Sequence, residues 1–304
     1  WTGYTGVGFS RISVNPSLSI IYKLNYAWRF TVHASYKERY GEMTDLYDRP
    51  YQTDYRNSVW NCGILPVYRQ QLYSVYGEYK STAREFFATV NLTHNREWYN
   101  RIYEQRIENG QVQRVSLPLS NHGSGYTVKS TLSKGFYDLG LKTSLMALLN
   151  ISKAEQISGG QRLPYQYRLM RLEPKVIWTP NRHWETSYQT DIRYGGSKIG
   201  ERTRLAPLWN VIQQVQLSYI FSPIEASLSV DHYHNDVNED QSVNAVFADF
   251  SVSWKSGRWQ ITATATNLFD KRTYAYTRYA SLESYTSWVR IRPREFLVAI
   301  RYRL

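Results

Sequence analysis

Apolar and polar residues alternate with a period of two almost from end to end of this chain. That pattern restricts the fold to extended strands with two unlike faces. In the first segment Ile12, Val14, Pro16, Leu18, Ile20, Tyr22 and Leu24 fall on one side; Arg11, Ser13, Asn15, Ser17, Ser19, Ile21 and Lys23 fall on the other. The run is longer than the about 9–11 residues that carry a tilted strand across a bilayer. Pro16 brings no N–H to a ladder, so an edge or bulge is expected there. The pattern resumes at Phe30, Val32, Ala34 and Tyr36, and recurs through Tyr73–Tyr79, Phe86–Leu92, Tyr126–Leu132 and Leu141–Ile151. In the second half it continues at Met170–Trp178, Trp184–Ile192, Val215–Phe221, Ile224–Val230, Val246–Trp254, Trp259–Ala265 and Phe296–Leu304. Roughly thirteen strands match the template.

The connections sort into two kinds. Short turns fall at 25–28, 81–84, 179–182, 222–223 and 256–257, against long Tyr- and charge-rich stretches at 40–68, 94–123 and 270–292. Short turns at one end and long loops at the other are the pattern of an outer-membrane barrel. The polar face decides between that and a soluble sandwich. A small soluble barrel fills its interior with apolar side chains. Here the second face carries Glu185, Ser187, Gln189, Asp191 and Arg193 on one strand and Gln214, Gln216 and Ser218 on another, which suits a wide, wet lumen. Tyr22, Tyr26, Trp28, Trp178, Trp184, Trp254 and Trp259 lie near strand ends, where aromatic girdles belong.

Composition agrees. The 27 Tyr and 10 Trp supply rings with polar tips, suited to a lipid–water boundary. No apolar run reaches the 18 residues of a transmembrane helix, and the low mean hydropathy is ordinary for strands with a single apolar face. The net charge of +12 is spread singly, without the basic runs of a nucleic-acid binder, so lumen and lipid headgroups are its expected neighbours. The single Cys62 excludes an internal disulfide and reads as a free loop thiol. Bacterial barrels have even strand numbers. With an odd count and a start at Trp1 without a secretory signal, residues 1–304 are expected to be the C-terminal barrel portion of a larger protein.

Three stretches carry a family resemblance. The run from Ser10 to Asn25 looks like barrel strands of TonB-dependent receptors from the Bacteroidetes. Asn267-Leu268-Phe269-Asp270 is similar to the Asn-Leu-Phe-Asp/Asn element near the end of such receptors, and Arg292-Pro293-Arg294-Glu295-Phe296 resembles the Pro-Arg approach to their last strand. The resemblance implies an all-β, transmembrane, antiparallel up-and-down barrel of 22 strands. It also implies an N-terminal plug and energy supplied by the TonB complex through that plug. Plug domain, TonB box and first strands are absent from this sequence. The alternating Val298, Ile300, Tyr302 and Leu304 resemble the terminal signal read by the barrel-assembly machinery, with Leu304 in place of the usual aromatic.

No sequence fingerprint of catalysis or cofactor binding occurs, and Ser158-Gly159-Gly160 and Gly195-Gly196 read as loop glycines rather than phosphate cradles. His232 and His234 share a strand face, with Asp236, Glu239 and Asp240 following; interfacial residues explain them better than metal ligands do. The segment 104–114 contains Asn-Gly between polar strands and is expected to form a small external hairpin. Tyr47, Tyr51, Tyr55 and Trp60 are candidate ligand-contacting loop aromatics, with loop packing as the alternative. The expected function is uptake of a nutrient across the outer membrane, with outer-membrane lipid, TonB and a surface lipoprotein as partners. A passive porin or structural barrel is the alternative, and a barrel enzyme lacks a catalytic constellation. No cofactor is expected.

Overall fold

A computed structural model describes residues 12–303 apart from 109, 110, 201, 202, 205, 206, 238, 239, 281 and 282. Among them, thirteen strands form one antiparallel meander. They are β1 (Ser17–Lys23), β2 (Trp28–Tyr40), β3 (Val67–Ser81), β4 (Phe86–Tyr99), β5 (Asn121–Phe136), β6 (Leu141–Ser158) and β7 (Gln161–Asn181). They continue as β8 (Trp184–Ile199), β9 (Leu208–Phe221), β10 (Ile224–Asp236), β11 (Ser242–Ser256), β12 (Trp259–Thr266) and β13 (Glu295–Tyr302). Each pairs with its sequence neighbours. The all-β, up-and-down expectation holds. The outermost strands β1 and β13 are not paired with each other among the described residues, so the sheet is an open wall.

Register keeps the two faces intact from strand to strand. Val32 lies opposite Val75, Val75 opposite Leu92, Leu92 opposite Val128, Val128 opposite Leu149, and Leu149 opposite Met170. A slip of one residue would turn every one of these side chains to the other face. Across the second face run charge pairs: Arg29–Glu78 at 2.9 Å, Arg171–Asp191 at 2.8 Å and Lys255–Glu225 at 2.8 Å.

The short turns share one end of the sheet. Asn25 closes the first by accepting the Ala27 and Trp28 N–H groups at 2.9 Å each. At the turn between β5 and β6, Gly140 takes a left-handed φ of 59°, and a Cβ there would collide with the Thr179 carbonyl. At the opposite end the expectation of long loops needs correction. The β6–β7 connection is only Gly159-Gly160, with φ of 57° and 76°, the double positive φ of a tight hairpin turn. There the strands themselves lengthen, to 18 and 21 residues, so wall replaces loop. The stretch 94–123 likewise begins and ends as wall, since β4 reaches Tyr99 and β5 starts at Asn121. The first alternating run also shortens: β1 begins after Pro16, whose carbonyl still accepts the Tyr36 N–H at 3.0 Å.

The remaining long connections fold into accessory strands. Ile102–Glu108 and Gln111–Leu117 form the expected hairpin, with Asn109 and Gly110 outside the described residues. Gln111–Leu117 then pairs in parallel with Asn57–Trp60, which pairs with Tyr51–Gln52, and Glu104 bridges to Ile157 at the top of β6. This mouth sheet supplies much of the little tight packing in the structure: Ile102 is fully buried, and Val115, Ser116 and Ile157 are nearly so. Thr273–Ala280 and Glu283–Arg290 form a second hairpin within the stretch expected to be loop. It leans on β10, where the Tyr274 hydroxyl accepts the Asn235 amide at 2.7 Å and its ring meets Tyr233 edge-on at 5.3 Å.

Candidate functional site

Three features have the geometry of function: an exposed apolar band, a cavity under the mouth sheet, and a knot joining β12 to β13.

Among the described residues the apolar face is not covered by any other layer. Leu92, Tyr126, Leu132, Met170, Phe250, Val298 and Ile300 all stand exposed on it, Val298 at 69%. Aromatic rows border it at both ends. Toward the short turns, Trp28 packs on Tyr79 at 4.8 Å, Trp184 on Tyr219 at 4.6 Å and Trp259 on Tyr302 at 4.8 Å. Toward the mouth, His94 stacks on Tyr126 at 4.2 Å and Tyr194 meets Trp209 at 4.6 Å. The two rows lie ten residues apart on three strands, from Tyr126 to Phe136, Trp184 to Tyr194 and Trp209 to Tyr219. At ~3.3 Å per residue that is about 33 Å of strand. A tilt of ~40° projects it to about 25 Å, the height of the apolar band of outer-membrane barrels.

His232 and His234 lie on this same face near the mouth. His232 Nδ1 is 3.3 Å from Gln213 Oε1, and His234 sits between Asn244 at 2.9 Å and Asp236 at 3.3 Å. Asp236 also accepts the Trp209 N–H at 2.8 Å, which marks it as a strand-end clasp. Glu239 lies outside the described residues.

The cavity has a volume of ≈ 780 Å³ and lies between the upper inner face of β4–β7 and the mouth sheet. The wall contributes Asn95, Glu97, Tyr99, Asn121 and Tyr165; the mouth sheet contributes Asn57, Val59, Tyr103, Glu104, Gln105 and Arg114. Glu97 is the hub of the wall, accepting Tyr68, Gln70, Asn95 and Tyr99 at 2.9–3.2 Å. Gly125 makes room for Asn95, because a Cβ there would meet the Asn95 amide oxygen. Glu104 holds Arg106 at 2.7 Å and accepts the Gly160 N–H at 3.1 Å. Tyr103 lies between two guanidiniums, Arg114 at 3.7 Å and Arg101 at 5.0 Å from its ring centroid. Burial raises its phenol above the ordinary value, and the two arginines oppose that shift.

None of the four loop aromatics singled out in the sequence lines this cavity. Tyr47 packs edge-on against Tyr51 at 6.0 Å, Trp60 donates to the Asp48 carbonyl at 2.8 Å, and exposed Tyr55 carries the Arg56 guanidinium 5.3 Å from its ring. The ring contact among the four is the one between Tyr47 and Tyr51. The cavity aromatics Tyr99, Tyr103 and Tyr165 went unmarked by pattern. Cys62 is a free thiol whose Sγ takes the Ser116 hydroxyl at 3.1 Å, beside the buried base of that hairpin.

The knot unites two stretches that stand apart in the sequence. Asn267 is nearly buried with a φ of 51°, a left-handed conformation that asparagine tolerates. Its side chain donates to the Lys271 and Arg292 carbonyls at 2.8 and 2.9 Å and accepts the Lys271 N–H at 2.9 Å. Its backbone N–H donates to Asp249 at 2.7 Å, and the Leu268 N–H to the Ala248 carbonyl at 2.8 Å. Asp270, also at φ 51°, accepts the Arg294 N–H at 3.0 Å and holds Arg272 at 2.8 Å. Phe269 is exposed. Asn267 and Asp270 thus fasten the end of β12 to the approach of β13.

The Arg294 N–H and the Arg272 guanidinium hold the Asp270 carboxyl below the usual carboxylate range. A lowered folded value means stability that is complete above about pH 4 and is lost as pH falls through the folded pKa. In Asp270→Asn that part of the acid dependence is expected to vanish, read as a flatter plot of unfolding midpoint against pH between about 5 and 2.

On β13, Val298, Ile300 and Tyr302 point to the apolar face, all exposed. Leu304 lies outside the described residues, as do Ser10 and Arg11 of the run that resembles a receptor strand.

No protein-family model matches this chain, and no curated protein does. Among solved structures the chain is similar to the ferric yersiniabactin uptake receptor FyuA from Yersinia pestis, at 9% identity and a TM-score of 0.48, covering 95% of this chain and 50% of that one. It is similar too to the pyoverdine-bound FpvA of P. aeruginosa, at 10% identity and a TM-score of 0.49, over 94% of this chain and 44% of that one. The ferric-catecholate import receptor Fiu from E. coli K12 matches at 8% identity and a TM-score of 0.29, over 95% and 62%. The chain spans about half the length of the first two.

Proposed function

We propose that this chain is the lipid-facing wall of an outer-membrane receptor that takes up a nutrient, and that it belongs with the TonB-dependent receptors. The observation that carries the membrane reading is the uncovered apolar band, about 25 Å high between two aromatic rows. A soluble protein rarely leaves a patch beyond a few hundred Å² bare. The open edges support a larger barrel. β1 and β13 both run toward the short turns, so antiparallel closure between them takes an odd number of additional strands. The receptor reading is supported by the mouth cavity and by the 267–270 and 292–296 stretches folding as one unit. In this reading the plug and its link to TonB belong to the whole receptor beyond residues 1–304, and a surface lipoprotein docks on the mouth loops. Val298, Ile300, Tyr302 and Leu304 carry the assembly signal.

Conductance tests the reading against a passive porin. The full-length protein in planar bilayers is expected to conduct scarcely at all, because a plug fills the lumen. Steady open-channel currents would assign it to the porins.

A further inference from the structure

We infer that the lipid-facing surface of β4–β8 carries a docking site for a phosphorylated lipid of the outer leaflet, its headgroup held by Lys153, Arg168 and Lys198. The inference rests on the membrane reading of the apolar band and names a molecule that meets the band at one rim. In that reading the mouth faces outward, so its rim lies in the outer leaflet.

Register places the cations. The row Tyr73–His94–Tyr126, which borders the band toward the mouth, continues through Ile151 to Arg168. Two residues nearer the mouth, the next row on the same face runs Arg96–Ser124–Lys153–Gln166–Lys198. Adjacent strands lie ~4.8 Å apart, so Lys153 and Lys198 flank Gln166 with Cα atoms about 10 Å apart. Arg168 stands directly below Gln166 on its own strand. The step between the two rows is about 6.6 Å of strand, or about 5 Å of height at a ~40° tilt. Headgroups add about 5–7 Å beyond each side of the hydrocarbon core, so the row falls at headgroup depth.

These charges are uncommitted. Arg96, Lys153 and Arg168 are exposed and Lys198 is half-buried; among the described residues none of the four forms an ion pair or a side-chain hydrogen bond. The carboxylates of the next row are already taken, Glu38 by Arg69 at 3.3 Å and Glu155 by Arg162 at 3.0 Å. At the turn end of the same face the arrangement differs, since Lys134 donates to the Arg84 carbonyl and lies 5.0 Å from the Phe136 ring.

Four free cations on adjoining strands repel one another until an anion lies among them. Phosphate suits the mixture, because lysine meets it as a point charge and arginine with a planar fork. What lies below the cations selects a lipid over a soluble phosphate. Leu92, Val128, Leu149 and Met170 form an exposed apolar row directly under the ring row, on the same strands. A lipid seated on the cations lays its acyl chains along that row, whereas a soluble anion leaves it unused.

The test is a thermophoretic titration of the full-length protein in detergent micelles with diphosphoryl lipid A and with zwitterionic phosphatidylethanolamine. Lipid A is expected to bind at least about tenfold more tightly, and more weakly as salt rises. The double variant Lys153→Gln, Arg168→Gln is expected to weaken lipid A by about 10- to 100-fold, through the loss of two headgroup contacts. Lys129→Gln with Lys142→Gln removes the same charge from the polar face of β5 and β6, and is expected to stay within about twofold of the parent. Retained heat-modifiable mobility checks that both variants are folded. Equal affinity for the two lipids, or equal loss in the two double variants, would overturn the inference. Displacement of lipid A by millimolar inorganic phosphate would overturn it too, assigning the row to free phosphate. If nitroxide accessibility still alternates along β9, those results remove the lipid site alone; without alternation the membrane reading itself fails.

Discussion

Replacing Val215 by Arg is expected to destabilise the bilayer-embedded protein by about 2–4 kcal/mol, the cost of a charge near the middle of an apolar band. Val215 sits on β9 between Trp209 and Tyr219, with Tyr188 and Val230 opposite it on the neighbouring strands. Its neighbour Gln216 points to the polar face, and Gln216→Arg is expected to change stability by less than about 0.5 kcal/mol. The two substitutions are chemically alike and one residue apart. Urea unfolding of the full-length protein in phospholipid vesicles reads the difference.

Asn267→Ala is expected to be costly for a different reason. It removes three side-chain hydrogen bonds and puts alanine at a φ of 51°. The carbonyls of Lys271 and Arg292 lose their donor, and each backbone group left unsatisfied on burial costs about 1–3 kcal/mol. A total loss of about 2–4 kcal/mol is expected from the unfolding midpoint, allowing for partial rescue by water. Asn267→Asp keeps the acceptor for the Lys271 N–H but turns a carboxylate oxygen toward the Lys271 and Arg292 carbonyls, so it should not restore the parent's stability. Leu268→Ala is expected to cost less, because Leu268 joins the knot through its backbone N–H.

Most of the wall was legible because its information is local. Alternation assigns a face to each residue, and a pairing register that keeps faces together follows from it. The thirteen alternating runs of the sequence are the thirteen strands of the meander, and the face assigned to each residue, from Phe30 to Tyr302, is the face it occupies. The mouth was not legible in this way. Asn57–Trp60 pairs in parallel with residues more than fifty positions away, a contact that no local period encodes. The cavity depends on that pairing, so Tyr99, Tyr103 and Arg114 became a site only once the mouth sheet was in place. The knot is intermediate. Asn267 and Asp270 stood out as a motif, and 292–296 as another. Hydrogen bonds from Asn267 to Arg292 and from Arg294 to Asp270 across the intervening hairpin are what make them one structure.

The central claim is that one face of this sheet meets lipid and the other meets water. Nitroxide scanning of β9, from Leu208 to Phe221, in the full-length protein reconstituted in bilayers tests it most directly. At Val211, Gln213, Val215 and Leu217 the labels should collide with dissolved oxygen and be shielded from a water-soluble nickel chelate; at Ile212, Gln214, Gln216 and Ser218 the order should reverse. The oxygen maximum should fall midway between Trp209 and Tyr219. Accessibility to the nickel chelate that does not alternate along β9, or that is high at Val215, would contradict the account.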